Sequence, residues 1–391
     1  MSFSLPADAA ARPTPFYLYD LALLDRTLAA AQQAARPRAM HVHYALKANA
    51  NAPILDRVRQ HDLGADCVSG AEVQRALDTG FAPQDIVFAG VGKSDAEINR
   101  ALAADIWCFN AESGEELVVL NELAAAQNRR ARVALRINPN VDAHTHHYIT
   151  TGLDANKFGI GLSDLAEVLD LLATLPQLEL VGIHAHIGSQ ITNLSVFAVL
   201  SRKLNEVQTW LEDRGHTLPH LNVGGGLGID YHNPDTQAVP DFEAYFRMFD
   251  QHLERRPGQQ VHVELGRSLV AQCGTVVSRV LYVKRSQQTN FAILDAGMTE
   301  LIRPALYGSY HLIQNMSSTG SRQLYDVVGP ICESSDTFGR EVTMPETRRG
   351  DLIVIRSAGA YGEVMASNYN LREKAEAVYI GEVLSGVKQK V

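Results

Sequence analysis

The sequence predicts an α/β chain built from a (β/α)8 barrel and a second, mostly β domain of sandwich or barrel-like form, and three observations carry that prediction. Between about residues 42 and 266, eight short apolar, β-rich runs alternate with helical patterns. After Gly266 the helical patterns fall away and strand-like runs follow one another with turn residues between them. An isolated run, "PFYLYD", stands before the alternation begins. Parallel strands need long crossovers, so eight strand-plus-helix units in about 225 residues match the size of a closed barrel. An open doubly wound sheet is the alternative arrangement.

The eight runs are "HVHYALKA", "GADCVS", "DIVFAG", "DIWCFN", "RVALRIN", "LVGIHAHIG", "LNVGGGLG" and "VHVELG". Between the sixth and seventh, "NLSVFAVLSRKLNEVQTWLEDRG" places Phe197, Leu200, Leu204, Val207 and Leu211 on one helical face, at spacings of three and four. Ser163 is the expected N-cap of a helix over "SDLAEVLDLLATL". Beyond Gly266, "GTVVSRVLYVKRS", "NFAILDAG", "YDVVGPICE" and "DLIVIRSAGAYG" read as strands, and "LREKAEAV" as a short helical piece. "PFYLYD" is expected to pair with this distal sheet, which makes the second domain discontinuous. The expected barrel spans residues 21–268, and the β domain residues 1–20 and 269–391.

Composition narrows the function classes. The 44 acidic residues outnumber the 35 basic ones, giving a formal net charge of -9, and no basic block interrupts the chain. That balance argues against a nucleic-acid surface and favours a small soluble ligand. The N-terminal stretch lacks a charged leader followed by an apolar core, and nothing downstream approaches the roughly 18 apolar residues of a membrane span. A cytoplasmic protein with no membrane partner is expected. Cys67, Cys108, Cys273 and Cys332 form no CxxC pair, so neither a disulfide framework nor a zinc site is expected.

The polar residues at the ends of the runs converge. Lys47 closes the first, Asp66 the second, His186 the sixth, the glycines 224–228 the seventh and Glu264 the eighth. In a barrel these ends share one face, where loops from distant parts of the chain surround one cavity. Each residue also has a plainer reading. Lys47 reads as a solvated strand terminus, or, drawn into the cavity, as an amine whose lowered pKa frees it to attack a carbonyl. The glycines read as a tight turn, or as unhindered N–H groups around a phosphate. His184 and His186, on a strand with one residue between them, read as metal ligands or as one ring flanking a planar group; the other strand ends offer few further ligands, so no metal is expected. The "HTHH" cluster at 144–147 reads as solvated. Glu264 reads as an ion-pair partner of Arg267, or as the carboxylate that holds a proton on a heteroaromatic nitrogen. Lysine, phosphate-type turn, ring-facing histidine and cavity glutamate together point to pyridoxal phosphate.

Over nearly its whole length the chain resembles the barrel-type pyridoxal phosphate-dependent amino-acid decarboxylases. The matching segments are "YALKAN", "HIGSQI", "NVGGGLG", "ELGRSLVAQCG", "RPALYGSYH", "VGPICESSD", "GAYGEVMASNYN" and "NPNVDAHTHHYITTGLDANKFGIG". The resemblance implies that Lys47 binds the cofactor covalently, His186 stacks on its ring and Glu264 pairs with the ring nitrogen. It further implies a cofactor shell of Asp66, Ser189, Gly224, Gly225, Gly226, Gly266, Arg267 and Tyr361. Arg267, Arg303, Tyr307, Glu333 and Tyr361 would contact the substrate, and Cys332 would donate a proton from the partner subunit of a homodimer. The implied reaction converts meso-2,6-diaminopimelate to L-lysine and carbon dioxide. The alternatives are a relative acting on ornithine, arginine or carboxynorspermidine, and a regulatory relative without cofactor. The chain departs from the family pattern at Leu265, where proline is usual, and at Ser335, where glycine is common.

Overall fold

The computed structural model describes residues 3–141 and 157–381. Eight strands follow the eight runs: Met40–Ala45, Gly64–Cys67, Ile86–Phe88, Cys108–Ala111, Ala131–Asn138, Leu178–His184, His220–Asn222 and Gln260–Leu265. Each pairs in parallel with the next, and the eighth pairs in parallel with the first, so the sheet closes into a barrel. Closure leaves no sheet edge.

Helices connect most of these strands, and their ends are set by local side chains. Ser69 and Ser113 accept hydrogen bonds from the N–H groups of Glu72 and Glu116 at the starts of Gly70–Thr79 and Gly114–Ala126. Ser94 and Glu97 form a capping box at the start of Asp95–Ala104. The helix Ser195–Glu212 buries Phe197, Leu200, Leu204, Val207 and Leu211, the face that the spacing predicts. Ser163 does not cap its helix. The helix starts at Leu165, one residue later than a Ser163 cap requires, and the Ser163 hydroxyl donates instead to Asp164 Oδ1 at 2.8 Å.

The chain divides into two compact units. One comprises Leu28–Gly228 and Asp241–Leu269 and contains the barrel; the other gathers the described parts of Met1–Thr27, Ile229–Pro240 and Val270–Val391. In the second unit the long strand Gly274–Arg285 organises an eight-stranded sheet. Its first half pairs antiparallel with Phe16–Asp20 and Leu352–Ile355, and after an irregularity between Val280 and Tyr282 it runs antiparallel to Asn290–Leu294. Such a bulge bends a strand and lets it serve two sets of neighbours. Ile313–Asn315, Arg322–Val328 and Thr337–Pro345 complete the outer positions.

"PFYLYD" thus does join the distal sheet. The expected helix over "LREKAEAV" is not formed: its second half enters the strand Glu376–Ile380, which pairs in parallel with Phe16–Asp20. Tyr379 stacks on Tyr19 with ring centroids 5.4 Å apart, and Val378 is buried. Cross-strand packing of this kind outweighs the helical propensity of a short segment. Among the described residues no helix is long and apolar enough to cross a membrane.

Candidate active site

The first barrel strand stops at Ala45, and Lys47 sits in the 3-10 turn Leu46–Ala48 that follows, two residues beyond the strand on which the sequence places it. Its Nζ donates to Asp66 Oδ2 at 3.1 Å. Asp66 is fully buried near the end of the second strand. Burial, with the nearby charge of Glu264, pushes its carboxyl up to about 7, against the pull of Lys47. A carboxylate with that proton affinity takes a proton from a neighbouring ammonium far more readily than a solvated aspartate does. Its second oxygen, Oδ1, is buried without a partner among the described residues.

Glu264 lies near the end of the eighth strand and is surrounded by donors. Asn110 Nδ2 and Asn222 Nδ2 both donate to Oε1, at 3.1 and 2.7 Å. His184 Nε2 lies 3.1 Å from Oε2. All four residues are buried. Burial alone pushes the Glu264 carboxyl up, but the attraction that His184 exerts once protonated in acid and its hydrogen bond, with Lys47 and His186 beyond, more than offset it and hold the group well below the usual carboxylate range. A carboxylate accepts at about four lone-pair positions, and here three are taken.

The strand His220–Asn222 runs into the turn at Gly224–Gly226. Gly224 and Gly226 have φ of 68° and 104°, and a Cβ on Gly225 would lie 1.7 Å from the Glu264 carbonyl oxygen, so the turn requires glycine. The Gly224 N–H donates to Asn222 Oδ1 at 2.9 Å and the Gly225 N–H to His186 Nδ1 at 3.1 Å. Those two amides are therefore engaged inside the protein, whereas the Gly226 N–H has no partner among the described residues. His186 lies two residues past the strand Leu178–His184, so the two histidines do not share a strand face as their spacing suggests. Accepting from Gly225 leaves the His186 ring with its proton on Nε2 when neutral, and burial, with Arg136 and Lys47 nearby, pushes it down to about 3. Beyond the eighth strand, Gly266 leads into the helix Arg267–Val270, and Arg267 donates from Nη2 and Nε to Ser189 Oγ at 2.9 and 3.3 Å. Leu265 is fully buried and paired with Tyr44 in the barrel ladder.

The remaining expected residues belong to the β unit. Arg303 opens the short helix Arg303–Tyr307 and is buried, with Nη1 donating to Tyr231 Oη and His311 Nε2 at 3.0 Å each. His311 Nδ1 in turn donates to the Arg356 carbonyl at 2.8 Å. Cys332 and Glu333 are exposed, in a loop tied down by Asp336, whose carboxylate accepts from the N–H groups of Ile331 and Met298. Tyr369 donates to Glu333 Oε1 at 2.9 Å. Tyr361 has a φ of 57°, in the left-handed region.

The structure thus brings Lys47, Asp66, His186, Ser189, the glycine turn, Glu264, Gly266 and Arg267 to the same end of the barrel. The sequence reading missed Asn110 and Asn222. Each is polar, lies at or next to a strand's end and stands two residues after another barrel-facing position, a phase signal that is visible only once strand limits are known. His184 and His186 direct nitrogens at Glu264 and Gly225, and among the described residues no group of three or more His, Cys, Asp or Glu is placed to hold a metal. The cluster at 144–147 lies outside the described residues.

A closed parallel barrel with a lysine, a buried carboxylate pair and a glycine turn at its C-terminal rim is suited to chemistry on the carbonyl of a bound cofactor. Residues 21–271 match the family of pyridoxal-dependent decarboxylases, pyridoxal binding domain. The chain is 55% identical over 361 residues to diaminopimelate decarboxylase of Bacteroides thetaiotaomicron, covering 92% of this chain and 94% of that one. It is 42% identical to the Helicobacter pylori enzyme of the same name, covering 92% and 89%. The crystal structure of diaminopimelate decarboxylase from Helicobacter pylori complexed with L-lysine superposes with a TM-score of 0.89 at 40% identity, over 95% of this chain and 92% of that one. The enzyme from M. jannaschii in co-complex with L-lysine gives a TM-score of 0.86 at 34% identity, over 94% and 87%. This chain belongs to the pyridoxal-dependent decarboxylase family, among its diaminopimelate decarboxylases.

The residues at the rim fit pyridoxal phosphate. Lys47 would offer an amine to its aldehyde, the open lone pair of Glu264 would suit its protonated ring nitrogen, and the Gly226 N–H with Arg267 and Ser189 would offer donors to its phosphate. The orphaned Asp66 Oδ1 is a further polar atom that such a group would satisfy.

Proposed function

We propose that this chain decarboxylates meso-2,6-diaminopimelate to L-lysine and carbon dioxide, with pyridoxal phosphate bound at the barrel rim by residues of the segment 21–268. Identity of 55% across 94% of a diaminopimelate decarboxylase carries the choice of substrate; the Lys47, Asp66 and Glu264 arrangement carries the choice of chemistry. When bound, pyridoxal phosphate supplies an electron sink for the carbanion left by loss of carbon dioxide. Asp66 Oδ2, 3.1 Å from Lys47 Nζ, would be the acceptor for the proton that Lys47 must lose to present a neutral amine. Glu264 holds a proton on the ring nitrogen that faces it. His186 would pack on the ring, with its Nδ1 fixed by the Gly225 N–H. Ser189, Gly224–Gly226, Gly266 and Arg267 would orient the phosphate, and this reading assigns Tyr361 to the cofactor as well.

The segments 1–20 and 269–391 supply the substrate contacts in this reading. Arg303, a planar fork already fixed by Tyr231 and His311, suits the distal carboxylate, with Arg267, Tyr307 and Tyr361; Glu333 suits the distal amine. A charged group at each remote position selects a diamino dicarboxylic acid over shorter diamino acids. Cys332 Sγ delivers the proton to the reacting carbon, from the partner subunit of a homodimer, and the protein works in the cytoplasm.

The test is mass analysis of product formed in heavy water from meso-diaminopimelate, with ornithine and arginine as competitors. Lysine carrying one deuterium at the reacting carbon is expected, and Cys332→Ala should slow its formation by about 10²-fold, the scale of a lost general acid. Preferred turnover of ornithine or arginine would overturn the substrate. Undiminished stereospecific labelling by Cys332→Ala would remove the thiol from its role.

A further inference from the structure

We propose that His184 is the positioning residue that sets the charge and orientation of Glu264, acting as a neutral imidazole whose Nε2–H occupies Oε2 while Asn110 and Asn222 occupy Oε1. The inference rests on the reading of the barrel rim as a pyridoxal phosphate site, and it assigns work to a histidine that the sequence motif leaves without any.

Two observations carry it. The first is the donor count: Oε1 accepts two amide N–H groups and Oε2 one ring N–H, so a single lone pair stays open on a buried carboxylate. Three donors at fixed positions on three other strands leave the carboxylate no freedom to turn, and the open position is fixed with it. The second is the other ring nitrogen. His184 Nδ1 is buried and has no partner among the described residues. An imidazolium would carry an N–H there, burying an unsatisfied donor of a charged group, which costs more than a bare lone pair in the same place.

The neutral form matters for the chemistry. Beside an imidazolium, the negative charge of Glu264 would be cancelled within the pair. Beside a neutral donor it stays whole, and a whole charge facing a ring nitrogen raises that nitrogen's affinity for a proton. The asparagines cannot ionise, so all three contacts hold Glu264 without neutralising it.

The experiment compares His184→Gln, which keeps an uncharged N–H donor, with His184→Leu, which removes it. Three quantities are read: the rate at which each holoenzyme loses pyridoxal phosphate on dilution, the pH titration of its bound-cofactor absorbance, and kcat separately from KM. The Leu variant should release cofactor about tenfold faster, the scale of one hydrogen bond to a charged group, and shift the absorbance titration toward lower pH. Its kcat should fall with KM little changed, and the Gln variant should stay near wild type in all three. Equal behaviour of the two variants, or a titration that neither moves, overturns the inference. Nitrogen NMR of His184 in the unaltered protein supplies a readout that needs no variant: a single protonated nitrogen, Nε2, is expected at neutral pH, and protons on both nitrogens overturn the proposal. A wild-type protein that binds no cofactor would sink the functional reading itself, a result distinct from a cofactor-binding wild type whose Leu variant is unaffected.

Discussion

His262 and Glu264 stand two residues apart on one barrel strand, and so on one side of it, yet they end in opposite electrostatic situations. His262 lies in a chain of rings. Its Nδ1 is 3.0 Å from His43 Nε2 and its Nε2 is 3.1 Å from His220 Nδ1, while His43 Nδ1 reaches the Asp85 carbonyl at 3.3 Å. A carbonyl can only accept, so His43 carries its proton on Nδ1, and each following neutral ring must then do the same. Trp107 packs against His262 and His220 with centroids 4.7 and 4.8 Å away. Burial holds His43 and His262 below the ordinary histidine range, His262 far below it. Glu264 instead keeps its charge and an unused acceptor position. The histidines satisfy one another and fill the barrel, whereas the carboxylate is over-provided with donors from one side and left open on another. Excess capacity, and not polarity as such, separates a ligand site from a polar core.

The largest expected effect falls on the open side. Glu264→Gln should lower kcat by about 10³-fold, the scale of a lost electrostatic contact to developing charge, while His262→Gln leaves kcat nearly unchanged; steady-state kinetics of both variants decide it, and equal losses would erase the distinction between the two positions. Next comes stability. His262→Leu strands His43 Nε2 and His220 Nδ1, and urea unfolding at pH 8 should show a loss of about 2–4 kcal/mol for two orphaned polar atoms.

The pH dependence sharpens the contrast further. The folded pKa values of His43, His220 and His262 are depressed below the reference of 6.5, so as the pH falls past that value the unfolded chain takes up protons that the folded one refuses. Stability should therefore decline below about pH 6.5, by at most about 1.4 kcal/mol per pH unit for each ring, and His262→Leu should flatten the decline. Asp66 runs the other way. Its folded pKa is raised from 3.8 to about 7, so it favours the folded state below 3.8 and that preference fades as the pH rises to about 7; Asp66→Asn should remove this opposing slope from the unfolding free energies. The smallest effect belongs to His41, an exposed ring stacked on His262 at 5.2 Å: His41→Ala should cost about 0.5–1 kcal/mol by the same unfolding measurement.

Much of the site was readable from residue order. Lys47, Asp66, Gly224–Gly226 and Glu264 each close a β-rich run, and in a closed parallel barrel every such end lies at one rim. Other parts were not readable because they depend on strand limits or on partners far away in sequence. Lys47 and His186 fall just past their strands, so His186 does not share the strand face of His184. The segment 376–380 looks helical by composition and becomes a strand because Phe16–Asp20 pairs with it. Thr337–Pro345 gave no clear strand signal, yet it pairs along most of its length with Arg322–Val328.

By itself the sequence determined the alternation of strands and helices, the glycine turn that no side chain can enter, and which reactive groups sit at strand ends, since these follow from local period and backbone sterics. Only the tertiary structure decided which groups are charged and which neutral. That depends on burial and on donors brought from strands as far apart in the chain as Asn110 and Glu264, and the free energy of an ionised group is set by what surrounds it in space, not by its neighbours along the chain.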